Sequence, residues 1–171
     1  MSHDPLPKVE LVLLGDEALQ ALVAGDLEGA DDATGLALPR AFLADRWLWS
    51  MRLGQLIGDP DCAPWLVRAV VARPGDEVVG HAGFHGPPDD RGMVEVGYRI
   101  VPERRRQGYA TAALTELIAF AREHGARVVR ASIAPGNAPS RALAATFDFV
   151  ATGEQQHERN GHLLVFERAL T

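Results

Sequence analysis

Residues 95–111 have the sequence EVGYRIVPERRRQGYAT, and this stretch carries the clearest indication of the fold. A strand predicted at Met93–Val101 leads into a basic turn, and Gly108 opens a predicted helix. The first N–H groups of a helix have no partners within it and, with the helix dipole, attract anions. Gly108 lets a phosphate approach the backbone, and the small side chain of Ala110 leaves room beside it. Arg104–Arg106 add positive charge. The spacing predicts a pyrophosphate site, whereas the arginines alone would indicate a solvated charge run.

The turn does not fit two common nucleotide-binding motifs. It lacks the Gly-x-x-x-x-Gly-Lys-Ser/Thr of a P-loop, and no Gly-x-Gly-x-x-Gly follows the first predicted strand. Residues 105–110, Arg-Arg-Gln-Gly-Tyr-Ala, instead resemble the Arg/Gln-x-x-Gly-x-Gly/Ala signature of the GNAT N-acetyltransferase superfamily. Asn137-Ala-Pro-Ser140 resembles the second cofactor segment of that family, and Phe149 its Gly-Phe pair, with Asp148 in place of the Gly. These features resemble most the RimJ/RimL-like branch, which acts on ribosomal-protein N-termini.

The resemblance implies that acetyl-CoA is the co-substrate and that its pyrophosphate lies on the turn and the helix start. In the family, strands four and five splay apart to admit the pantetheine arm, and backbone groups of strand four bind the thioester. The cofactor-binding residues implied here are Ile100, Val101, Arg105, Arg106, Gln107, Gly108, Tyr109, Ala110, Thr111, Asn137 and Ser140. Asn137 and Ser140 also suit a helix cap, so a structural role stays open for both.

The resemblance further implies direct attack of an amine on the thioester, which requires a group that takes up the amine proton. Glu95 is the first catalytic candidate because its strand leads to the phosphate turn, although a surface carboxylate is an equally good interpretation. Glu154 and His157, near the last predicted turn, are alternatives. Ala144 stands where many relatives carry a Tyr proposed to protonate the leaving thiolate. Ser140 or a water would therefore have to serve as the acid.

The elements around this stretch predict an α+β domain. Strands at Trp65–Arg73, Val78–His85 and Met93–Val101, joined by short turns, predict an antiparallel meander. A strand–helix–strand unit follows, and Asn160-Gly161 predicts the last hairpin. Together with the resemblance, this gives a GNAT-like, mostly antiparallel sheet of six to seven strands flanked by helices, with splayed parallel strands four and five. Gly25–Leu38, rich in Asp, Gly and Ala, predicts a loop.

Length and composition agree with a single domain over residues 1–171. The chain has 17 basic and 23 acidic side chains and a net charge of −6, which argues against nucleic acid as a partner. Cys62 is the single cysteine, so no internal disulfide is possible, and Met1–Lys8 lacks the apolar run of a signal peptide. No apolar run approaches the ~20 residues that span a membrane. We expect a cytoplasmic protein without a membrane partner, and a homodimer is an open alternative to a monomer.

No metal site is predicted. His81 and His85 lie four residues apart on a predicted strand, hence ~13 Å along one face, which is too far to share an ion. Trp47, Trp49 and Met51 fit an acceptor pocket or the core equally well.

The acceptor is expected to be an amine, either a protein N-terminus or a small molecule. A polycation would need a strongly acidic cleft. The loop aspartates that could line one are Asp31, Asp32, Asp89 and Asp90. A second function class is a non-catalytic acyl-CoA-binding or sensing module. Ala144 favours that class, whereas a carboxylate at Glu95 beside the thioester would count against it.

Overall fold

Within residues 4–171, which the computed structural model describes, seven β-strands form one sheet flanked by five α-helices. The first three residues of the predicted N-terminal segment Met1–Lys8 lie outside that range. The strands are β1 (Lys8–Leu13), β2 (Arg68–Arg73), β3 (Glu77–Phe84), β4 (Met93–Ile100), β5 (Val128–Ile133), β6 (Val150–His157) and β7 (Gly161–Ala169). The α-helices are α1 (Asp16–Ala24), α2 (Leu27–Thr34), α3 (Arg46–Gly58), α4 (Tyr109–Glu123) and α5 (Ala138–Thr146). Short 3-10 segments cover Arg40–Asp45, Pro60–Trp65 and Pro102–Arg104.

The strand order is β1-β2-β3-β4-β5-β7-β6, and every neighbouring pair is antiparallel except β4 and β5. The parallel pairing joins residues 93–95 to residues 128–130 and goes no further, although both strands continue. The predicted mixed, mostly antiparallel α+β sheet with splayed parallel strands four and five is therefore confirmed. The gap between these strands opens immediately after Glu95.

The alternation of side chains along β4 directs its two faces to different helices. Val94 and Val96 are buried in a core cluster that also contains residues of α4 and α5. Glu95, Gly97 and Arg99 lie on the opposite face, which the segment before α3 and α3 itself cover. The gap between β4 and β5 is therefore bordered by side chains from both faces of the sheet.

The α3 face has its own core, built around Trp49. This side chain is fully buried, and its indole N–H donates to the carbonyl of Phe42 at 2.6 Å. Met51, two residues further along α3, is 44% exposed. Of the three residues considered for an acceptor pocket, Trp49 belongs to the core, Met51 to the surface, and Trp47 to the cleft described below.

The segment predicted as the loop Gly25–Leu38 contains helix α2, so that prediction was wrong. Asp26 caps the helix by accepting the N–H of Gly29 at 2.9 Å. Ala30 is fully buried in the α3-side core. The helix therefore buries one small side chain where an amphipathic pattern would show larger apolar residues.

Candidate active site

A cleft of about 660 Å³ follows the gap between β4 and β5. Its walls come from α3, β3, β4, β5, the start of α5 and the β6–β7 hairpin. The structure brings three of the predicted residues, Glu95, Asn137 and Ser140, to this one cleft. The other polar side chains that line it are Asp45, Arg52, His81, His85, Tyr98, Arg99, Ser132, Gln155, His157 and Asn160.

Glu95 lies where the two strands part, directly opposite His85. The N–H of His85 donates to the carbonyl of Glu95 at 2.8 Å, and His85 Nδ1 lies 3.7 Å from Glu95 Oε2. Desolvation in the cleft lowers the pKa of His85; Glu95 opposes the shift, and the charges of Arg52 and His157 add to it. A neutral imidazole therefore stands beside the predicted catalytic carboxylate at pH 7.

Helix α3 fixes the backbone of His85. Gln55 Nε2 donates to the His85 carbonyl at 2.6 Å, and Arg52 Nη1 donates to Gln55 Oε1 at 2.7 Å. Arg52 is 5% exposed, so its charge is held under the cleft wall rather than offered to a ligand. The position of the imidazole depends on these contacts with a helix some thirty residues earlier.

On the same side of the cleft, Asp45 is a buried carboxylate with both oxygens in use. Oδ2 lies 3.2 Å from His81 Nε2, and Oδ1 accepts from Arg99 Nη1 at 2.8 Å. Burial works to raise the pKa of Asp45, but the hydrogen bond and charge of His81 and the charge of Arg99 outweigh it, so the pKa is lowered. His81 is buried edge-on against the Trp49 ring, with centroids 4.9 Å apart. Asp45 is therefore ionised and fully engaged.

Across the gap, the start of α5 contributes two polar side chains, the amide of Asn137 and the hydroxyl of Ser140. Asn137 caps the helix, since its Oδ1 accepts the N–H of Ser140 at 3.2 Å. Burial raises the pKa of the Tyr98 phenol, and a hydrogen bond with Ser140 opposes that rise. Tyr98 therefore stays protonated at neutral pH beside Ser140. The structural role left open for Asn137 is observed, and it coexists with a position on the cleft.

The predicted phosphate turn lies beyond the far end of β4. Arg106 and Gly108 both have left-handed backbone conformations, with φ of 59° and 87°. Helix α4 begins at the next residue, and in the described part of the chain no side chain caps it. The N–H of Ala112 donates to the Gly108 carbonyl at 2.9 Å, so the N–H groups before it in the first turn remain for an outside acceptor.

The three arginines of this turn have different surroundings. Arg104 makes two 2.7 Å hydrogen bonds to the carboxylate of Glu77, so its charge is already paired and is not free to add to the predicted anion site. Arg105 Nε donates to the Ile100 carbonyl at 2.9 Å and ties the turn to the end of β4. Arg106 is exposed. Its guanidinium is the one of the three best placed to meet an anion.

The surface of Gly108 is covered by the N-terminal segment. A Cβ built at Gly108 would lie 3.0 Å from Pro7 Cδ and 3.5 Å from Leu6 Cδ2. Together with its positive φ, this contact excludes a side chain at residue 108 for reasons of packing alone. Glycine at this position therefore does not by itself identify a phosphate site.

The backbone of β4 limits which groups can face the gap. The N–H of Val101 donates to the Val79 carbonyl at 2.9 Å, so this predicted cofactor contact is already engaged within the sheet. In an antiparallel pair, alternate residues bond to the neighbouring strand, and the residues between them point the other way. Ile100 therefore directs its N–H away from β3, toward the side where β5 has parted from β4.

The β6–β7 hairpin forms one wall of the cleft. Its turn begins after His157, which pairs with Gly161, and both His157 and Asn160 line the cleft. Arg159 packs its guanidinium over the ring of Trp47, 4.1 Å from the centroid, and so joins the hairpin to α3. Glu154 is the other alternative base. Its Oε2 lies 3.5 Å from Nε2 of His162, and it does not line the cleft.

A sheet parted between two parallel strands, beside a helix whose first N–H groups are open, is the arrangement that the resemblance implied for a GNAT-like fold. Residues 31–150 match the family described as an acetyltransferase (GNAT) domain, and the chain belongs to this family. The uncharacterized N-acetyltransferase YjdG of Bacillus subtilis (strain 168) is 39% identical over 61 residues. That match covers 34% of this chain and 36% of YjdG, so the chain matches about a third of that relative's length.

Solved structures share the fold over nearly the whole chain. The ribosomal-protein-alanine N-acetyltransferase of Brucella melitensis has a TM-score of 0.58 and 26% identity, covering 94% of this chain and 99% of that one. The ribosomal-protein-S5-alanine acetyltransferase of Vibrio fischeri has a TM-score of 0.64 and 16% identity, covering 98% and 95%. The microcin C7 self-immunity acetyltransferase MccE, solved with acetyl-CoA and AMP, has a TM-score of 0.65 and 13% identity, covering 95% and 93%.

Within residues 4–171, no group of three or more His, Cys, Asp and Glu side chains is arranged to hold a metal ion. None of the helices described there is long and apolar enough to cross a membrane.

Proposed function

We propose that this protein transfers an acetyl group from acetyl-CoA to a primary amine by direct attack in a ternary complex. Membership of the GNAT family supports the acetyl transfer. The observation that carries the proposal is the position of Glu95, a carboxylate at the point where β4 and β5 part. Asn137 and Ser140 face the same cleft from α5.

The residues around the turn fit a pyrophosphate in three respects. The first N–H groups of α4 are open, Arg106 is exposed beside them, and the start of α5 lies on the same face of the sheet as α4. Residues 105–111 would hold the phosphates, and Asn137 and Ser140 would flank the arm in the gap. When bound there, acetyl-CoA supplies the activated acetyl group.

The attacking amine must lose a proton. An alkylammonium has a pKa of ~10.4, so about one part in two thousand is free at pH 7, whereas about a tenth of a protein N-terminus is free. Glu95 takes this proton directly or through water, and the neutral imidazole of His85 is the next acceptor in line, 3.7 Å away. An α-amine demands less of this pair than an alkylamine does.

The departing sulfur must gain a proton as its bond to the acetyl carbon breaks. Ser140, at the start of α5, is the candidate donor, and the phenol of Tyr98, whose pKa is raised by burial, stays protonated in the same cleft. The backbone N–H of Ile100 is the group on β4 suited to the developing negative charge on the acetyl oxygen. These roles do not require the Tyr that many relatives carry where Ala144 stands.

A covalent acetyl-cysteine route has no suitable residue in this protein. Cys62 is the single cysteine, it is 4% exposed, and it does not line the cleft. Burial and the nearby charge of Asp59 raise the pKa of its thiol, which keeps it protonated and poorly nucleophilic. This supports direct attack by the amine.

Calorimetric titration with acetyl-CoA tests the cofactor site. Arg106→Glu should weaken binding at least about tenfold, because it replaces a charge-assisted contact with repulsion. Arg122→Glu, on the exposed last turn of the same helix, is the matched control and should bind like the original protein. Equal affinities for both variants would remove the phosphate turn from the proposal.

Release of free thiol in the presence of amines tests the reaction. Glu95→Gln should reduce kcat/KM by about 100-fold or more, the range for loss of a general base, while acetyl-CoA affinity is unchanged. A protein that binds acetyl-CoA but releases no thiol with any amine would instead be the non-catalytic acyl-CoA-binding module that Ala144 allows.

A further inference from the structure

The cleft is not acidic, although the chain as a whole has a net charge of −6. Its lining contains the carboxylates Asp45 and Glu95 and, against them, the guanidinium groups of Arg52 and Arg99. The aspartates that could have made it acidic are elsewhere. Asp31, Asp32, Asp89 and Asp90 are absent from the lining. A polycationic acceptor therefore finds no excess of negative charge in this cleft.

Of the two carboxylates, one is unavailable to an acceptor. Asp45 is 5% exposed, and its two oxygens are taken by His81 and Arg99. An ammonium group could reach it only by displacing a buried, charge-assisted hydrogen bond. Glu95 is thus the carboxylate left for the reacting amine.

Of the two guanidinium groups, one is open to an acceptor. Arg52 is buried and hydrogen-bonded to Gln55. Arg99 uses Nη1 on Asp45, yet 55% of its side chain is exposed and it lines the cleft. Asp45 holds the guanidinium in place and leaves donors for a second anion, because Arg presents five N–H donors in a rigid fork.

Glu95 and Arg99 lie on one face of β4, with Gly97 between them. Four residues of a strand place their Cα atoms ~13 Å apart. Residue 97 adds no side chain to the floor between them, and a Cβ there would meet the His85 ring at 3.1 Å. An extended peptide with its amine at Glu95 would bring its fourth or fifth residue to Arg99, since it advances ~3.3 Å per residue.

We propose that the acceptor is an amine that carries an anionic group about 10–13 Å along an extended chain from the reacting nitrogen, and that Arg99 binds this anion. This inference rests on the proposed amine acetylation. The anion is either an acidic side chain at the fourth or fifth residue of a protein N-terminus or the carboxylate of a small amino acid-like molecule. Arg99 is a specificity-determining residue.

The experiment compares matched acceptors. One arm uses amidated hexapeptides with Ala at the first three positions and Asp, Asn or Lys at the fourth. The other uses a straight-chain ω-amino acid, the corresponding alkylamine, the corresponding diamine and spermidine. For each, binding to the CoA-loaded protein is measured by calorimetry, and turnover by thiol release.

The Asp peptide should bind about tenfold more tightly than the Asn peptide, the effect of ~1.4 kcal/mol, and the Lys peptide more weakly still. Arg99→Gln should bring the Asp/Asn ratio close to one, and Arg99→Lys should keep most of it. Arg122→Gln, outside the cleft, should leave the ratio unchanged. A purely structural role for Arg99 would weaken all peptides alike and leave the ratio intact. The ratio measured on the original protein tests the inference even where a variant does not fold.

The outcomes separate the two proposals. Equal binding of the three peptides and of the small-molecule series, or a preference for Lys or spermidine, would overturn the anion site while leaving acetylation in place. Selective binding of anionic amines without thiol release would support the anion site and overturn the acetyltransferase. The arm with the higher kcat/KM identifies the source of the anion, a protein N-terminus or a small molecule.

Discussion

Replacing Gly108 with Ala perturbs the phosphate turn at its most constrained residue. The left-handed conformation costs about 1–2 kcal/mol for a residue with a Cβ. The added methyl would lie 3.0 Å from Pro7 Cδ, closer than a comfortable contact, so some overpacking of about 1 kcal/mol is added. The sum is about 2–3 kcal/mol, which lowers the Tm of a domain of this size by about 4–12 °C.

Two other glycines give matched controls. Gly125, at the end of α4, has φ of 82° and open space around it, so Ala there should lose only the conformational part, about 1–2 kcal/mol. Gly54 lies inside α3 with no atom within 4 Å of an added Cβ, so Ala there should stabilise by about 0.5–1 kcal/mol. We therefore expect the Tm to be highest for Gly54→Ala, followed by the original protein, then Gly125→Ala, and lowest for Gly108→Ala.

Thermal unfolding by circular dichroism gives the Tm values, and titration with acetyl-CoA adds a functional measurement. Gly108→Ala should weaken acetyl-CoA binding, whereas Gly125→Ala, at the other end of α4, should not. If Gly108→Ala were as stable as Gly125→Ala, the close contact with Pro7 would not add to the loss of stability. If both bound acetyl-CoA like the original protein, the turn at residue 108 would not be the phosphate site.

Three further predictions concern single side chains. Asp148 follows α5 with φ of 59°, its N–H bonded to the Ala145 carbonyl, so Asp148→Gly should stabilise by about 1 kcal/mol in urea unfolding; a loss of stability would contradict this. The pKa of His85 is lowered in the folded protein, so the unfolded chain binds this proton more readily, and the free energy of unfolding should fall as the pH drops below about 6.5. His85→Gln should flatten this part of the plot of stability against pH. An unchanged slope would refute the prediction. Asp45 has a lowered pKa, so its contribution is present at pH 7 and disappears as pH falls below about 4; Asp45→Asn should cost about 1.5–3 kcal/mol at pH 7 and progressively less in acid.

The fold could be predicted from the sequence where local pattern and tertiary structure agree. The strand, basic turn and helix of residues 95–111 have an alternating pattern, a break and a helical stripe in succession. Gly125, two residues after the end of α4, has the positive φ that favours glycine after a helix. Helix α2 was missed because it buries only Ala30, and propensity counts for little when packing against a neighbouring helix stabilises the turn.

The cleft residues contributed by distant segments could not be predicted. Asp45 and Arg99 are 54 residues apart, and nothing in either local pattern indicates that they meet. The sequence relates His85 only to His81 on its own strand, whereas its ionisable neighbour in the structure is Glu95 on the next strand. Such pairs are fixed by strand register and by the position of α3, which a single sequence does not specify.

Charge runs show the same limit. The three arginines of the phosphate turn are equivalent in sequence, but Arg104 is bound by Glu77, a residue 27 positions earlier. The resemblance implied Asn137 and Ser140, the strand leading to the phosphate turn indicated Glu95, and all three line one cleft. Their roles remain predictions that the titration and thiol-release experiments address.

The parting of β4 and β5 also has a kinetic consequence. The gap is bordered by α4 and α5 on one face of the sheet and by α3 on the other. Under the proposed function the two substrates arrive from opposite faces, so neither obstructs the entry of the other. Initial-rate plots at varied concentrations of both substrates should then intersect, and product inhibition by free CoA should show no compulsory order of addition.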